Sequence, residues 1–262
     1  MASVAVITPT RNMADTLWVS LGSACRAGAD EIVVIDDASE DHTPAVVGLW
    51  QARYPQIKYI RHDTKLPDHN AAQREVYASL KSDYVIGLSA DDLLYSNCIR
   101  EIREAAENGE PAVVFTGVDV LQDGEHYIRT DIAPVSAHMT PEAVSARFRS
   151  DANATESGIG SALRHDMAMW LWSLGWESLG PCMDSVGYGT VACLQGAAYI
   201  HKRCAALAFR ERSYGRNPDW NEDYYLEIAR KSIDFMFRAG LDRDTAAAIC
   251  KKRCRVEVSW ED

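Results

Sequence analysis

The feature that most constrains the fold is a regular alternation within the first 116 residues. Short runs of β-branched and aliphatic residues alternate with longer amphipathic stretches, which predict strands and helices in turn. The predicted strands are 4–8, 31–36, 57–61, 84–88 and 112–116, and the predicted helices are 14–27, 43–54, 70–80 and 96–108. Such alternation is typical of an α/β protein whose mostly parallel sheet is flanked by crossover helices.

The pattern changes after residue 116. A strand is predicted at 125–130, a short helix at 141–149, and two helices near the end at 221–239 and 244–253. Residues 150–163 are small and polar, which is typical of a mobile loop. Trp170, Trp172 and Trp176 follow this stretch and are expected mainly in the core.

Charge and composition exclude several classes of protein. Lys and Arg total 27 against 38 Asp and Glu, so the net charge is −11, which disfavours nucleic acid and anionic membranes as partners. No run approaches the roughly 18 to 20 apolar residues of a membrane-spanning helix. The start of the chain lacks the basic and apolar segments of a signal peptide. The seven cysteines show no paired CxxC spacing, so we expect a reduced, cytoplasmic protein without a zinc site.

Polar segments follow three of the predicted strands. They are Pro9-Thr10-Arg11-Asn12, Asp36-Asp37-Ala38-Ser39 and Ser89-Ala90-Asp91-Asp92. Because ligands bind beyond the carboxyl ends of parallel strands, four carboxylates and an arginine are expected on one rim of the sheet. Carboxylates crowded together raise one another's pKa, and a bound Mg²⁺ or Mn²⁺ relieves the repulsion. A single Asp-Asp pair after a strand is more often a turn or a helix cap, but two pairs at adjacent strand ends favour a site.

Three segments in this order resemble the N-terminal half of the family 2 glycosyltransferases. They are VAVITPTRN, EIVVIDDASEDHT and NAAQREVYASLKSDYVIGLSADDLL, and the likeness covers about residues 3–95. The resemblance implies a GT-A fold with a nucleotide-binding half at 1–117 and an acceptor half at 118–215. Residues 216–262 would then form a helical segment packed on the core.

The resemblance also implies a set of donor-binding residues. Pro9, Thr10 and Arg11 would line the nucleotide pocket, and Asp37, together with Asp36, would contact the base. Asp91 and Asp92, with Ala90 before them, would form the DxD-type pair that binds the metal and the diphosphate. Asn70 and Arg74 would lie beside the donor.

Two positions depart from the family pattern. Ser89 stands where many members have the first Asp of the motif, and Gln73-Arg74 stands where the common pattern is Arg-Asn. The first departure leaves open whether Asp91 or Asp92 ligates the metal directly. The second weakens the transfer of a phosphate-binding role to Arg74.

For the second half, the resemblance implies a general base. Inverting members carry an Asp at a helix start, and SLGWESLGPCMDSVGYGTV places Asp184 there. Asp223, in Asn221-Glu222-Asp223, is the alternative. A strand ending at His201 and Lys202 and an Arg-containing loop at Arg210 would follow, so His201, Arg210 and Trp176 are candidates for acceptor contact.

The expected function is transfer of a sugar, with inversion, from a nucleoside-diphosphate donor to an acceptor hydroxyl. A UDP-sugar is favoured, Mn²⁺ or Mg²⁺ is the expected cofactor, and the acceptor is a glycan, a lipid carrier, a protein or a modified nucleic acid. The alternatives are a nucleotidyltransferase and a nucleotide-sugar-binding module without turnover. The loop after the first strand contains no glycine, which disfavours a nucleotidyltransferase and a dinucleotide-binding dehydrogenase.

Overall fold

The computed structural model describes residues 1–66, 69–122, 125–128, 136–150, 158–209, 221–254 and 256. The strands are β1 Val4–Thr10, β2 Glu31–Asp36, β3 Ile57–Arg61, β4 Tyr84–Gly87, β5 Leu93–Leu94, β6 Val113–Gln122, β7 Glu125–Ile128, β8 Ala137–Met139, β9 Ala162–Arg164 and β10 Ala197–Phe209. The helices are α1 Ala14–Ala27, α2 Thr43–Gln51, α3 His69–Ser79, α4 Cys98–Glu107, α5 Pro141–Ser150, α6 His165–Ser173, α7 Met183–Gln195, α8 Glu222–Ala239 and α9 Arg243–Arg253. A 3₁₀ segment, Trp176–Cys182, leads directly into α7.

All strands of the described ranges belong to one sheet. Its order is β3-β2-β1-β4-β9-β6-β10-β5, with β7 added to β6 and β8 added to β10. The pairs β1–β2, β2–β3, β1–β4 and β6–β10 are parallel. The short β9 lies between β4 and β6 and is antiparallel to both, so β4 and β6 run in the same direction. The predicted α/β fold with a mostly parallel sheet is confirmed.

Two hydrophobic layers cover the faces of the sheet. One layer joins the inner faces of α1, α2 and α4 to the strands, and the other contains residues of α3, α5, α6, α7, α8 and α9. Helices α8 and α9 contribute Phe235 and Ile249 to this second layer, both fully buried. The predicted division of the chain at 117 and 215 stays a prediction.

Local sequence explains the boundaries of several elements. The run Glu31–Asp36 is buried along its whole length, as expected of an inner parallel strand. Helices α1 and α8 end at Gly28 and Gly240, whose positive φ angles of 84° and 96° suit glycine. The bounds predicted for α1, β2 and β3 are confirmed. Helix α2 begins at Thr43, as predicted, with His42 as its N-cap and Pro44 directly after Thr43, but it ends at Gln51 rather than at 54.

Strand β10 is longer than predicted. It continues past His201 and Lys202 to Phe209, because a bulge between Ile200 and Ala205 restores its pairing with β6. Gly117 of β6 lies against the bulge, where a Cβ atom would come within 2.9 Å of the Lys202 carbonyl oxygen. No helix in the described ranges is both long and apolar enough to cross a bilayer.

Candidate active site

The carboxyl ends of β1, β2 and β4 meet at one edge of the sheet. The Asp37 amide donates to the Thr10 carbonyl at 3.0 Å, and the Leu88 amide donates to the Ile7 carbonyl at 2.9 Å. These bonds bring the three polar segments that follow the strands side by side. The α1 helix holds the third segment in place, since the Ser20 hydroxyl donates to the Ser89 carbonyl at 3.0 Å.

Asp36 supports the backbone and is not available to a nucleotide base. Its side chain is completely buried, and it accepts hydrogen bonds from the Ser39 amide at 2.8 Å and from the Tyr59 hydroxyl. Arg61 Nε lies 3.6 Å from its second oxygen. The prediction that Asp36 contacts the donor is therefore wrong, because its carboxylate is enclosed and used within the fold.

Asp37 directly follows β2 at the same edge of the sheet. It is 9% exposed, and its Oδ1 accepts a hydrogen bond from the Leu66 amide at 2.6 Å. This bond ties the segment after β3 to the end of β2. Pro9, directly before Thr10, is partly buried in the adjacent strand end, so the residues predicted for the nucleotide pocket lie together here.

Asp92 is a buried carboxyl with one oxygen bound and the other unsatisfied. Its Oδ1 accepts from the Ala208 amide at 2.8 Å, which joins the loop after β4 to the end of β10. Its Oδ2 has no hydrogen-bond partner among the described residues. Burial, with smaller contributions from the charges of Asp91 and Asp184, raises the pKa of Asp92 to about 7. Ala90 is also buried, whereas Asp91 is partly exposed and is the more accessible carboxylate.

Further unsatisfied polar atoms lie at the end of β1. The hydroxyls of Thr8 and Thr10 and the Nε of Arg11 are buried and have no hydrogen-bond partner within the described part of the chain. Buried polar atoms are rarely left unpaired in folded proteins. Together with Asp92 Oδ2 they are the groups that a polar ligand at this edge would satisfy.

The described side chains by themselves do not form a complete metal site. Within the described ranges, no group of three or more His, Cys, Asp or Glu side chains is arranged to hold a metal ion. A cation held by Asp91 and Asp92 would need other oxygen ligands, which a diphosphate and water supply. The unsatisfied Oδ2 and the raised pKa of Asp92 fit a cation at this position.

Asp184 lies in the first turn of α7, where the helix dipole favours a carboxylate. Its Oδ1 accepts from the Ser185 amide at 2.7 Å. Burial raises the pKa of Asp184, whereas the Ser185 amide and the charge of Arg253 lower it by less. Its charge makes a small contribution to the raised pKa of Asp92.

Two residues around Asp184 were not predicted from the sequence. Gly158 packs so closely that a Cβ atom there would lie 2.2 Å from Asp184 Oδ2. Arg253, in the last turn of α9, is the cation that opposes the raised pKa of Asp184. Gly158 belongs to the segment predicted as a loop and Arg253 to the last predicted helix, so neither carried a sequence signal for a place beside Asp184. Of that predicted loop, 151–157 lie outside the described residues.

The alternative base, Asp223, has a different environment. It is exposed in the first turn of α8. It is not among the charges that act on the pKa of Asp92 or of Asp184. The geometry therefore favours Asp184.

The acceptor-side predictions for Trp176 and His201 do not fit the structure. Trp176 is 1% exposed and packs edge-on against Trp172 and Tyr77, so it presents no ring face to a sugar. His201 is exposed but lies on β10 seven residues before Ala208, and the register with β6 places it about 16 Å along the sheet from the level of Asp92. Arg210 and the side chain of Asn70 lie outside the described residues. Arg74 is exposed on α3.

Asp92→Asn is expected to stabilise the metal-free protein at alkaline pH. The folded-state pKa lies above the unfolded value of 3.8, so wild-type stability falls as the pH rises towards about 7. Asparagine keeps a side-chain oxygen that accepts from the Ala208 amide and removes the buried charge. The free energy of unfolding at pH 8 should therefore rise by at most about 4 kcal/mol. Chemical denaturation in EDTA between pH 5 and 8 should show the gain growing with pH. Asp223→Asn, which changes an exposed carboxyl, is the control, and a pH-independent difference would contradict the assignment.

Comparison with known proteins identifies the family of this chain. The profile described as glycosyl transferase family 2 matches residues 5–169, more than half of the chain. An uncharacterized protein of Mycobacterium tuberculosis is 30% identical over 98 residues, which cover 36% of this chain and 28% of that protein. A TPR repeat-containing protein of Synechococcus elongatus is 29% identical over 116 residues, which cover 44% and 27%. The chain thus spans little more than a quarter of the length of these relatives.

Solved structures show the same fold. Residues 1–349 of TarS from S. aureus in complex with UDP-GlcNAc superpose with a TM-score of 0.74 at 17% identity, covering 95% of this chain and 71% of that one. The complex of the same TarS chain with UDP gives a TM-score of 0.70 at 16% identity, with 95% and 70% covered. The chain therefore has the GT-A fold and belongs to glycosyl transferase family 2.

Proposed function

We propose that this chain transfers a sugar from a nucleoside-diphosphate donor to an acceptor hydroxyl with inversion at the anomeric carbon. One observation carries the proposal: Asp92 in the loop after β4 and Asp184 at the start of α7 come from different elements, yet the charge of Asp184 contributes to the raised pKa of Asp92. Such a displacement needs a cation site for the diphosphate and a proton acceptor for the attacking hydroxyl.

The proposed donor site is formed by the ends of β1, β2 and β4. Thr10 and Arg11 offer unsatisfied polar groups to a nucleotide, and Asp37 lies beside them. Because TarS, a protein of the same fold, was solved with UDP-GlcNAc, a UDP-sugar is the first donor to test.

Asp91 and Asp92 are the residues that would hold Mg²⁺ or Mn²⁺ against the donor diphosphate. Asp91 is partly exposed, whereas Asp92 is buried and accepts a hydrogen bond from the Ala208 amide. Asp91 is therefore the better placed of the two to ligate the cation directly. When bound, such a cation stabilises the negative charge that develops on the departing diphosphate.

Asp184 is the proposed general base. A carboxylate is a weak base at its ordinary pKa, and burial raises the pKa of Asp184 towards the range in which proton transfer is efficient. Gly158 leaves room for the Asp184 carboxyl, because any larger side chain at 158 would displace that carboxyl. The oxygen of the acceptor would lose its proton to Asp184 as it attacks the anomeric carbon from the face opposite the diphosphate.

A thermal-shift panel with UDP-, GDP- and TDP-sugars, with and without Mn²⁺, tests this function. We expect one class of donor to raise the melting temperature, and to do so more strongly with the metal. Release of free nucleotide from that donor then measures turnover. Stabilisation without any release, even with candidate glycan acceptors, would favour a binding module instead. No stabilisation by any nucleotide sugar would contradict the proposal.

A further inference from the structure

A four-residue turn, Gly158–Ser161, lies between the start of α7 and the sheet. The Ser161 amide donates to the Gly158 carbonyl at 3.2 Å and closes the turn. The turn leads directly into β9, which lies between β4 and β6. It therefore enters the sheet beside the strand that precedes Asp91 and Asp92.

One side of the turn contacts the Asp184 carboxyl. A Cβ atom at Gly158 would lie 2.2 Å from Asp184 Oδ2 and 2.7 Å from its Cγ, so the backbone at 158 packs directly on this side chain. The other oxygen, Oδ1, accepts from the Ser185 amide at 2.7 Å. The carboxyl is thus held by backbone on two sides, while Asp184 as a residue stays partly exposed.

The other side of the turn is fixed to the sheet through Gly160. The Gly160 carbonyl accepts from the Thr116 hydroxyl at 2.9 Å and from the Cys98 thiol at 3.7 Å, and both donors are completely buried. Gly160 has a φ of 67°, and a Cβ atom there would lie 2.5 Å from the Cβ of Ala205. Glycine is required at this position by both the backbone conformation and the close approach of β10.

The bulge in β10 accounts for this close approach. Thr116 of β6 pairs with Ile200 directly before the bulge, and Ala205 pairs with Val118 directly after it. The residues that hold Gly160 therefore come from the two sides of the irregular pairing. Bulges often occur beside functional sites, where they change the direction in which a side chain points.

We propose that the Gly158–Ser161 turn positions the Asp184 carboxyl for catalysis and that Thr116 anchors this turn. The inference rests on the proposed role of Asp184 as the general base. Thr116 holds Gly160, and Gly158 in the same turn packs on the carboxyl, so these residues act through Asp184. A base must be held within a fraction of an ångström of the hydroxyl it deprotonates, and a displacement of about 1 Å can cost on the order of 100-fold in rate.

Carbon NMR of protein labelled at the aspartate carboxyls tests the contact without any donor or acceptor. The Asp184 signal is assigned by its loss in Asp184→Asn. Burial raises the pKa of Asp184, so Gly158→Ala, which pushes the carboxyl out of its enclosure, should move that pKa down towards the ordinary value of an aspartate. Gly48→Ala is the control, because Gly48 is exposed on α2 and a Cβ atom there meets no other atom within 4 Å. An unchanged Asp184 titration in folded Gly158→Ala would overturn the inference.

Nucleotide release from the UDP-, GDP- or TDP-sugar that gives the largest thermal shift tests the catalytic consequence. Gly158→Ala should lower kcat by about 100-fold with little change in the KM of the donor. The Gly158→Ala/Asp184→Asn double variant should be no slower than Asp184→Asn alone, since both changes remove the same function. Losses that multiply would indicate a merely structural glycine and overturn the inference. Normal turnover in Asp184→Asn would instead refute the base assignment, whereas the NMR titration would still report on the contact.

A conservative pair of variants at Thr116 tests the anchor without adding volume. Thr116→Val keeps the shape and removes the hydroxyl, whereas Thr116→Ser keeps the hydroxyl that donates to Gly160. Thr116→Val should lower kcat by about tenfold and shift the Asp184 titration in the same direction as Gly158→Ala, and Thr116→Ser should resemble wild type. This pair also carries the test if Gly158→Ala does not fold, which circular dichroism shows. Equal behaviour of the valine and serine variants would overturn the role of Thr116.

Discussion

Replacing Asp184 with asparagine is expected to reduce sugar transfer by about 100-fold or more, the usual contribution of a general base. Asparagine has nearly the same shape and keeps the packing against Gly158, but it cannot accept a proton from the acceptor hydroxyl. The measurement is the turnover number for transfer with the donor identified by thermal shift. Donor affinity should change little, since Asp184 lies on a separate helix from the proposed donor-binding carboxylates.

Asp223→Asn is the matched control for this experiment. The change is chemically identical, and Asp223 also lies in the first turn of a helix, but it is exposed. We expect near-normal transfer from this variant. If Asp223→Asn lost activity while Asp184→Asn kept it, the base would be reassigned to α8. If both were normal, neither carboxyl would be the base.

The meeting of the three polar segments at one edge was predictable because it follows from local sequence. Parallel strands joined by crossover helices place their carboxyl ends at one edge, so the segments after β1, β2 and β4 had to meet there. The prediction failed for Asp36 because neighbouring carboxylates in a sequence have the same chemical character. Only the positions of Ser39, Tyr59 and Arg61 decide that Asp36, rather than Asp37, is enclosed.

The acceptor half depends on contacts between residues distant in sequence. Trp176 precedes Asp184 by eight residues, but the 3₁₀ segment turns its ring into the core. The bulge in β10 carries the strand beyond His201, and this bulge is set by pairing with β6 rather than by a local signal. The charge of Arg253, from a helix about 70 residues further along the chain, acts on the pKa of Asp184, and no spacing in the sequence indicates this.

Removing divalent metal is expected to weaken nucleotide binding by about tenfold or more. Asp91 and Asp92 place two carboxylates where the proposed diphosphate would lie, and without a cation they repel it. Titration calorimetry with UDP, or with the nucleotide of whichever donor stabilises the protein, compares Mn²⁺ with EDTA. Because Asp91 is the accessible carboxylate, Asp91→Asn should show weak binding in both conditions and no response to the metal.

The matched control is Asp83→Asn, which alters a carboxyl at the opposite end of β4. Asp83 accepts hydrogen bonds from the Ser3 amide and hydroxyl at 2.8 Å, and it lies a full strand length from Asp91. This variant should therefore bind nucleotide like wild type and keep the metal response. Equal affinity of the wild type in Mn²⁺ and EDTA would contradict a metal site at Asp91 and Asp92. The unsatisfied Oδ2 of Asp92 would then have to be explained by direct contact with the donor in the protonated state, which its pKa of about 7 permits near neutral pH.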